Sequence, residues 1–419
     1  MTSPSKRLKV LLGCYACDPN FGSEPGTGWQ FVKLIAKSHD VHVIVEKDEF
    51  EKNITKYSEE HPEEVSNISF HFIRRRHHNL LRKIWPPSYY WFYNIWQKAA
   101  YRYAVKLHEK EHFDLVHQIN LVGFRAPGEL WKLNIPYIWG PIGGLNHTAW
   151  SLLPNMGIYG TIFYSMRNIL NAIHKRWSKA ARIVSQKAHT IFVSDPTACN
   201  DIRKLWNRDC IAMREVGTTR TAPFNDISTR SMDSPLQVCW AGIHEPRKGL
   251  NLLLQAVALC KQPVHVHILG QGPYTTRWKQ LAQKLQIEKK VTFYGKIPHD
   301  EVFNMMAQSH VFCITSISEG GTPNIVMEAL QHNLPIVALN HCAYSSVIDE
   351  SCGIKIDIQP SRFIPQKFAD ALDKIAASEE LRQQLAAGAH TRSESYSWES
   401  KLQLINEVYE KAVREKGAT

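Results

Sequence analysis

Short apolar runs of strand length recur along the chain, each followed by a turn marked by glycine or proline and then by apolar positions at helical spacing. In the first half, Leu8 to Gly13, Val41 to Glu46, Phe113 to Gln118, Thr190 to Ser194 and Ile211 to Val216 read as strands, and Ile135 to Gly144 as a strand followed by a glycine-rich turn. A polar stretch with Pro223 and Pro235 follows, and then the alternation restarts. Leu236 to Ala241, Val264 to Leu269, Val291 to Ile297, Val311 to Ile314, Pro335 to Leu339 and Ile354 to Ile358 read as strands. Leu250 to Leu259, Thr275 to Leu285, Asp300 to Ala307 and the stretch from Thr322 read as helices between them. Further helices are predicted over Pro365 to Ala387, with Gly388 as the stop, and over Trp398 to Val413. The expected fold is α/β, with two Rossmann-like doubly wound domains facing across a cleft. The boundaries fall at 1–217 and 236–395, with 218–235 as a linker.

A chain of 419 residues is too long for one ordinary core, which agrees with two domains. Hydrophobic residues at 44% and charged residues at 21% exclude wholesale disorder. A net charge of +11 calls for an acidic partner such as nucleotide phosphates, anionic lipid or nucleic acid. No zinc-finger spacing, RRM aromatic motif or basic-zipper heptad is present, so no nucleic-acid partner is expected. Nine scattered cysteines read as free thiols in a reducing compartment, and the Cys14/Cys17 pair lacks a second pair to complete a metal site. Val10 to Leu12 is short for a signal peptide, and no stretch approaches the ~18–20 apolar residues of a membrane span. The expected location is cytoplasmic.

Candidate chemistry sits in the turns. Between Val311–Ile314 and Pro335–Leu339 runs Ser316-Ile317-Ser318-Glu319-Gly320-Gly321-Thr322-Pro323-Asn324-Ile325-Val326-Met327-Glu328. Thr322 suits a helix N-cap and Pro323 the first helical position. A glycine loop feeding a helix N-terminus suits phosphate or sugar oxygens. Glu328, leaning back toward that N-terminus, can accept bonds from vicinal hydroxyls such as those of a ribose. A capped surface helix with a solvated glutamate is the plainer alternative. Arg247 and Lys248, in the turn after Leu236–Ala241, suit a diphosphate: a bidentate fork beside a point charge. Gly22, Gly26 and Gly28 with Glu24 lie between a strand and a helix without forming GxGxxG. His117 lies at the end of a strand, where doubly wound sheets gather ligand groups, although a lone histidine is more often structural. From Arg74 to Tyr103, Arg74, Arg75, Arg76, His77, His78, Arg82 and Lys83 precede Trp85, Tyr89, Tyr90, Trp91, Phe92, Tyr93 and Trp96. Such a segment either lies on an anionic membrane surface or packs its rings into the core. A second segment, Tyr159 to Lys187, mixes apolar and basic residues and can dock beside it.

Together these motifs resemble the GT4 family of retaining glycosyltransferases, over nearly the whole chain. The resemblance implies the GT-B fold, with the 396–419 helix crossing back to the first domain. It also implies transfer of a sugar from a nucleotide-diphosphate sugar to a saccharide or lipid-linked acceptor, as in bacterial surface polysaccharide assembly. No metal and no cofactor are expected, and the protein would work in the cytoplasm or at the inner face of the membrane. By that resemblance Lys248 and Arg247 hold the diphosphate, Glu328 the ribose, and the 319–324 loop (Gly320, Gly321, Thr322, Pro323 and Asn324 with Glu319) the sugar. Backbone beyond Val291–Gly295, through Ile297, reads the base. His117 faces the donor sugar, and Gly22, Glu24, Gly26, Gly28, Gly143, Gly144 and Asn146 line the acceptor cleft. The family's two glutamates flank seven residues, whereas eight separate Glu319 from Glu328, which puts Gly320 in register. Either Glu319 serves through a shifted loop, or the amides of Gly320 and Gly321 hold the sugar. A sugar-nucleotide epimerase and a non-catalytic sugar-binding or assembly protein are the alternatives.

Overall fold

The computed structural model describes residues 7–75, 88–121, 123–218 and 231–417. Most of the expected linker (219–230) and the basic stretch from Arg76 through Trp85 lie outside the described residues. The chain forms two compact units: Met1–Leu145, Ile173–Glu215 and Trp398–Thr419 make the first, Asn146–Ala172 and Val216–Ser397 the second. Residues 146–172 therefore belong with the second unit rather than the first. The reason is burial, since Leu152, Leu153 and Met156 pack into the core formed by Leu250, Leu253 and Trp278.

The first unit is a parallel sheet of β1 (Lys9–Cys14), β2 (Asp40–Glu46), β3 (Ile68–Ile73), β4 (Leu115–Asn120), β5 (Tyr137–Ile142), β6 (Thr190–Val193) and β7 (Ile211–Ala212), in the order β3-β2-β1-β4-β5-β6-β7. Central strands such as β4 and β5 are buried on both faces, which is why they read as unbroken apolar runs. The direction of strand succession reverses between β1 and β4, and the Asn120 side chain closes that point by bonding both Ala16 N (3.2 Å) and Ala16 O (2.7 Å). The long helix Ser88–Glu111 turns Tyr93 and Trp96 inward, where their rings meet Tyr15 at 5.0 and 4.9 Å. Tyr90 and Trp91 on the same helix are exposed. Among the described residues of the aromatic segment, core packing thus takes Tyr93 and Trp96, Tyr89 and Phe92 are half-buried, and Tyr90 and Trp91 face outward. The helix Trp398–Gly417 belongs to this unit, with Ile405, Val408 and Tyr409 in its core.

The second unit repeats the plan with β8 (Leu236–Ala241), β9 (Val264–Leu269), β10 (Val291–Gly295), β11 (Val311–Ile314), β12 (Ile336–Leu339) and β13 (Gly353–Ile356), all parallel, in the order β10-β9-β8-β11-β12-β13. Its reversal falls between β8 and β11. Loops that leave the carboxyl ends of those two strands open a crevice, the usual ligand position in such sheets.

Three local expectations are corrected. The glycine segment is not a loop ahead of a helix: the helix runs over Ser23–Ala36 and includes Gly26 and Gly28. Gly388 does not stop a helix but lies inside Glu379–Ser395, where a Cβ would stand 1.9 Å from the Ser351 carbonyl oxygen. Close packing, not capping, selects it. Cys199 and Cys210 are not free thiols but form a disulfide within the first unit.

Candidate active site

The second unit's crevice is built from two turns. β8 ends at Ala241, and the chain passes through Gly242 to a single 3-10 turn over Pro246–Lys248. Gly249 follows in the left-handed region (φ 63°), and a Cβ there would lie 2.4 Å from the Thr315 carbonyl oxygen. The turn is pinned at several points. The Thr315 hydroxyl donates to the Lys248 carbonyl at 2.8 Å and accepts from the Trp240 indole N–H at 3.0 Å, so one side chain joins the ends of β8 and β11. Ile317 N donates to the Arg247 carbonyl at 2.7 Å. His244 is buried beneath the turn, with Nδ1 2.8 Å from Thr275 Oγ1 and its ring against Trp240 and Trp278. Burial, with Lys279 adding to it, lowers its pKa to about 4 and keeps it neutral. His244 supports the turn, and nothing in its sequence context marked it.

The second turn carries Glu319 against the first. Glu319 is half-buried, with Oε1 2.5 Å from Lys248 Nζ and Oε2 2.9 Å from Arg247 Nη1. Arg247 also donates through Nε to Glu245 at 2.8 Å. Burial alone would weaken the Arg247 charge, but Glu319 and then Glu245 overcome it and raise its pKa. Two cations and two carboxylates therefore occupy one partly buried cluster. The 318 position is held from the other side: Ser318 Oγ accepts from Arg167 Nη1 and from Thr148 Oγ1, both at 3.0 Å. Thr148 escaped the sequence reading and Arg167 was read only as one of the basic residues of the Tyr159–Lys187 segment, because nothing local links either to the distant turn at Ser318.

Beyond Glu319, Gly320 is exposed, and no described atom lies within 4 Å of where its Cβ would stand. Gly321 is half-buried and Thr322 buried. The helix begins at Asn324 with Pro323 as its N-cap, one position later than expected, so Thr322 is not the cap. Glu328 lies just over a turn inside, half-buried, with Oε1 3.2 Å from His299 Nε2. Burial raises its pKa above the usual carboxylate range, and His299 works in the opposite direction. His299 opens the helix His299–Ala307 after Pro298 and is a further residue that the sequence reading missed. Gly295 (φ 74°) ends β10, and its carbonyl accepts from Gly270 N at 2.8 Å, while Ile297 is half-buried.

The first-unit candidates are placed differently from the expectation. His117 is fully buried, with Nδ1 2.6 Å from Tyr409 Oη and Nε2 2.7 Å from the Gly140 carbonyl. Both ring nitrogens are occupied, and burial, only partly offset by the Gly140 bond, lowers its pKa to about 4. His117 offers no atom to a ligand, which corrects its reading as a catalytic group. Gly26 and Gly28 serve close packing, since added Cβ atoms would stand 2.2 Å from the carbonyl oxygens of Phe21 and Ala16. Gly22 is exposed and Glu24 half-exposed at the start of that helix. Gly143 bridges to Gly123, and Gly144 has a left-handed φ of 76°. Asn146 belongs to the second unit, where its carbonyl accepts from Asn171 Nδ2 at 3.0 Å. Among the described residues, His61, Glu63 and Glu64 are the group whose atoms converge enough for a metal ion. Glu64 there already binds Lys33 and the Tyr57 hydroxyl.

Residues 225–392 match the sequence model of the family Glycosyl transferases group 1. These residues form a group 1 glycosyl transferase domain. The match spans both turns of the crevice, Glu328 and His299. A candidate colanic acid biosynthesis glycosyltransferase of Escherichia coli strain K12, WcaL, is 25% identical over 171 residues, 39% of this chain and 42% of that protein. A D-inositol 3-phosphate glycosyltransferase of Corynebacterium diphtheriae is 25% identical over 298 residues, 65% of this chain and 68% of that one. The chain thus aligns with less than half of the first relative and about two thirds of the second. The crystal structure of Anabaena Alr3699/HepE in complex with UDP has a TM-score of 0.63 at 16% identity, covering 96% of this chain and 100% of that one. The fold of the chain is therefore GT-B.

Proposed function

We propose that the protein is a retaining glycosyltransferase that moves a sugar from a nucleotide-diphosphate sugar to a saccharide or lipid-linked acceptor in bacterial surface polysaccharide assembly. The observation that carries the reading is the pairing of Arg247 and Lys248 with Glu319 at the point where strand succession reverses. Glu319 pairs with both cations, and Glu245 supplies the second negative charge through Arg247. When a donor enters, its diphosphate takes the fork of Arg247 and the ammonium of Lys248, bonds that are stronger to phosphate than to a single carboxylate. Glu319 is then released beside Gly320 and Gly321, where the open loop admits sugar hydroxyls. On this view Glu319 and the glycine amides both serve the sugar, one as acceptor and the others as donors.

Glu328 accepts from the ribose hydroxyls, with His299 as the partner that keeps its carboxylate charged, and backbone from Gly295 to Ile297 faces the base. As the glycosidic bond breaks, charge accumulates on the leaving diphosphate. Arg247, Lys248 and the helix end at Asn324 stabilise it there, as fixed dipoles and cations stabilise a developing anion. These groups supply the neutralisation that other transferases draw from a metal ion, so turnover in this reading needs none. The protein would act in the cytoplasm, at the anionic inner face of the membrane. Support comes from the family of the 225–392 domain, from a relative whose name places it in colanic acid biosynthesis, and from a structural neighbour that holds UDP.

The test is to incubate the protein with nucleotide-diphosphate sugars and polysaccharide or lipid-linked acceptors in the presence of a chelator, and to read the anomeric configuration of the product by NMR. An unchanged configuration with activity intact supports the reading. Inversion removes the retaining assignment, loss of activity in the chelator removes the metal-free one, and release of an epimerised sugar nucleotide without acceptor points to an epimerase.

A further inference from the structure

The helix Gly157–Trp177 is amphipathic in the wrong sense for a solvent-exposed helix. Its polar side chains face the protein. Arg167 donates to Ser318 Oγ, Asn168 bonds both the Thr148 N–H (2.9 Å) and the Thr148 carbonyl (2.8 Å), and Asn171 donates to the Asn146 carbonyl. Its apolar side chains face outward. Ile158 is 79% exposed, Tyr159 89%, Phe163 62% and Met166 58%, and Ile162 and Ile169 continue the same stripe. Residues at these spacings lie on one helix face, so the exposed side chains form a continuous band rather than scattered contacts. Single exposed apolar residues are ordinary, but a band of this length needs a cover.

The charge pattern selects the cover. From residue 130 to residue 194 the sequence contains no Asp or Glu, and of its cations Arg176, Lys179, Arg182 and Lys187 are exposed, whereas Lys175 is buried against Asp201, Lys132 pairs with Glu129 and Arg167 turns to Ser318. The whole chain carries +11. A second copy seated on the same band would bring like charges together, which opposes self-association. An anionic bilayer meets both features, since its headgroups take the cations and its acyl boundary takes the rings and branched side chains. Among the described residues no helix is long and apolar enough to cross a membrane, so the fitting mode is a helix lying in the interface.

We infer that the outward face of Gly157–Trp177, from Ile158 to Ile169, is a docking surface for an anionic lipid bilayer. The inference deepens the membrane-face part of the proposed function and rests on that reading for the lipid-linked acceptor alone. Arg167 gives the docking surface a connection to the sugar loop. The same helix that meets lipid on one side holds Ser318, the neighbour of Glu319, on the other. Lipid engagement then steadies the loop that receives the donor.

The test uses the full chain in co-sedimentation with vesicles of phosphatidylcholine alone and of phosphatidylcholine with phosphatidylglycerol. The comparison is a triple variant, Tyr159→Ser, Phe163→Ser and Met166→Ser, none of which touches the candidate site. The expected result is preferential pelleting of the wild type with the anionic vesicles, and at least a tenfold weaker partition of the variant. Nucleotide binding and the melting temperature should stay unchanged in the variant, which guards against simple misfolding. If the variant does not fold, Arg176→Glu with Lys179→Glu provides a second comparison, with the anionic preference lost. Equal pelleting of wild type and variant, or no pelleting with either vesicle, overturns the inference. So does a dimer of the wild type in light scattering that the variant abolishes while neither binds vesicles. Vesicle binding that persists when no sugar transfer can be found would leave the docking surface standing and remove the transfer reading instead.

Discussion

Glu319 grips both cations of the turn after β8, with Oε1 2.5 Å from Lys248 Nζ and Oε2 2.9 Å from Arg247 Nη1. A diphosphate must displace that carboxylate before the cations can serve it. Glu319→Gln keeps the shape of the loop and removes the competing charge, so it should tighten binding of the free nucleoside diphosphate by about threefold to tenfold, the equivalent of roughly 1 kcal/mol. The same substitution should slow sugar transfer, because the hydroxyl acceptor is weakened. Titration calorimetry and a turnover assay on one variant check both directions. Weaker nucleotide binding would mean that Glu319 orients the cations rather than competing for them.

Glu328 gives a pH signature. Burial holds its carboxyl above the usual carboxylate range. As pH falls through that raised value the group takes up a proton and loses its capacity to accept from two hydroxyls, so nucleotide binding should weaken in acid. Protonation of the nucleotide itself contributes in every variant. The informative quantity is therefore the difference between wild type and Glu328→Gln, whose binding should change less over the same range.

His117 should register in stability rather than in catalysis. Its folded pKa of about 4 lies below the ordinary value of 6.5, because the buried ring stays neutral between Tyr409 and the Gly140 carbonyl. A depressed folded pKa contributes stability that is present above 6.5 and is lost as pH falls toward 4. The shift corresponds to about 3 kcal/mol. Denaturant melts between pH 7 and pH 4.5 should show a smaller pH slope for His117→Gln than for the wild type. A catalytic histidine would leave that slope alone.

Gly388 tests the packing argument by reversing a propensity. In the middle of an exposed helix Gly→Ala stabilises by up to about 1 kcal/mol. Here the new Cβ would stand 1.9 Å from the Ser351 carbonyl oxygen, so Gly388→Ala should lower the melting temperature instead. A rise would show that the two segments can move apart at little cost.

The succession of strands and helices was legible in the sequence, and the site only partly so. Runs such as Val311–Ile314 and Ile336–Leu339 are apolar on both faces, a pattern that only a covered parallel sheet requires, and the structure has them as adjacent strands. Arg247 and Lys248 stood out as adjacent cations in a strand-to-helix turn and Glu319 through the family resemblance, and the structure brings the three together. The Ile68–Ile73 strand went unread even though it alternates, because His71 and Ser69 dilute its apolar signal. Thr148 and His299 were also missed, and Arg167 and His244 were not read as parts of the site. Each acts through a contact made far along the chain, and no local spacing announces such contacts. His117 misled for the opposite reason: its place at a strand end suggested a ligand, and only the return of Tyr409 on the final helix shows both nitrogens occupied.

The central claim is that the crevice between β8 and β11 binds a nucleoside diphosphate. Its most direct test is calorimetric binding of UDP, GDP and ADP to the wild type, to Lys248→Ala and to Glu328→Ala. The account predicts that one nucleotide binds well, that Lys248→Ala weakens it by about tenfold to a hundredfold, and that Glu328→Ala weakens it by about tenfold. Absence of binding by all three nucleotides, or affinities that neither substitution changes, would contradict it.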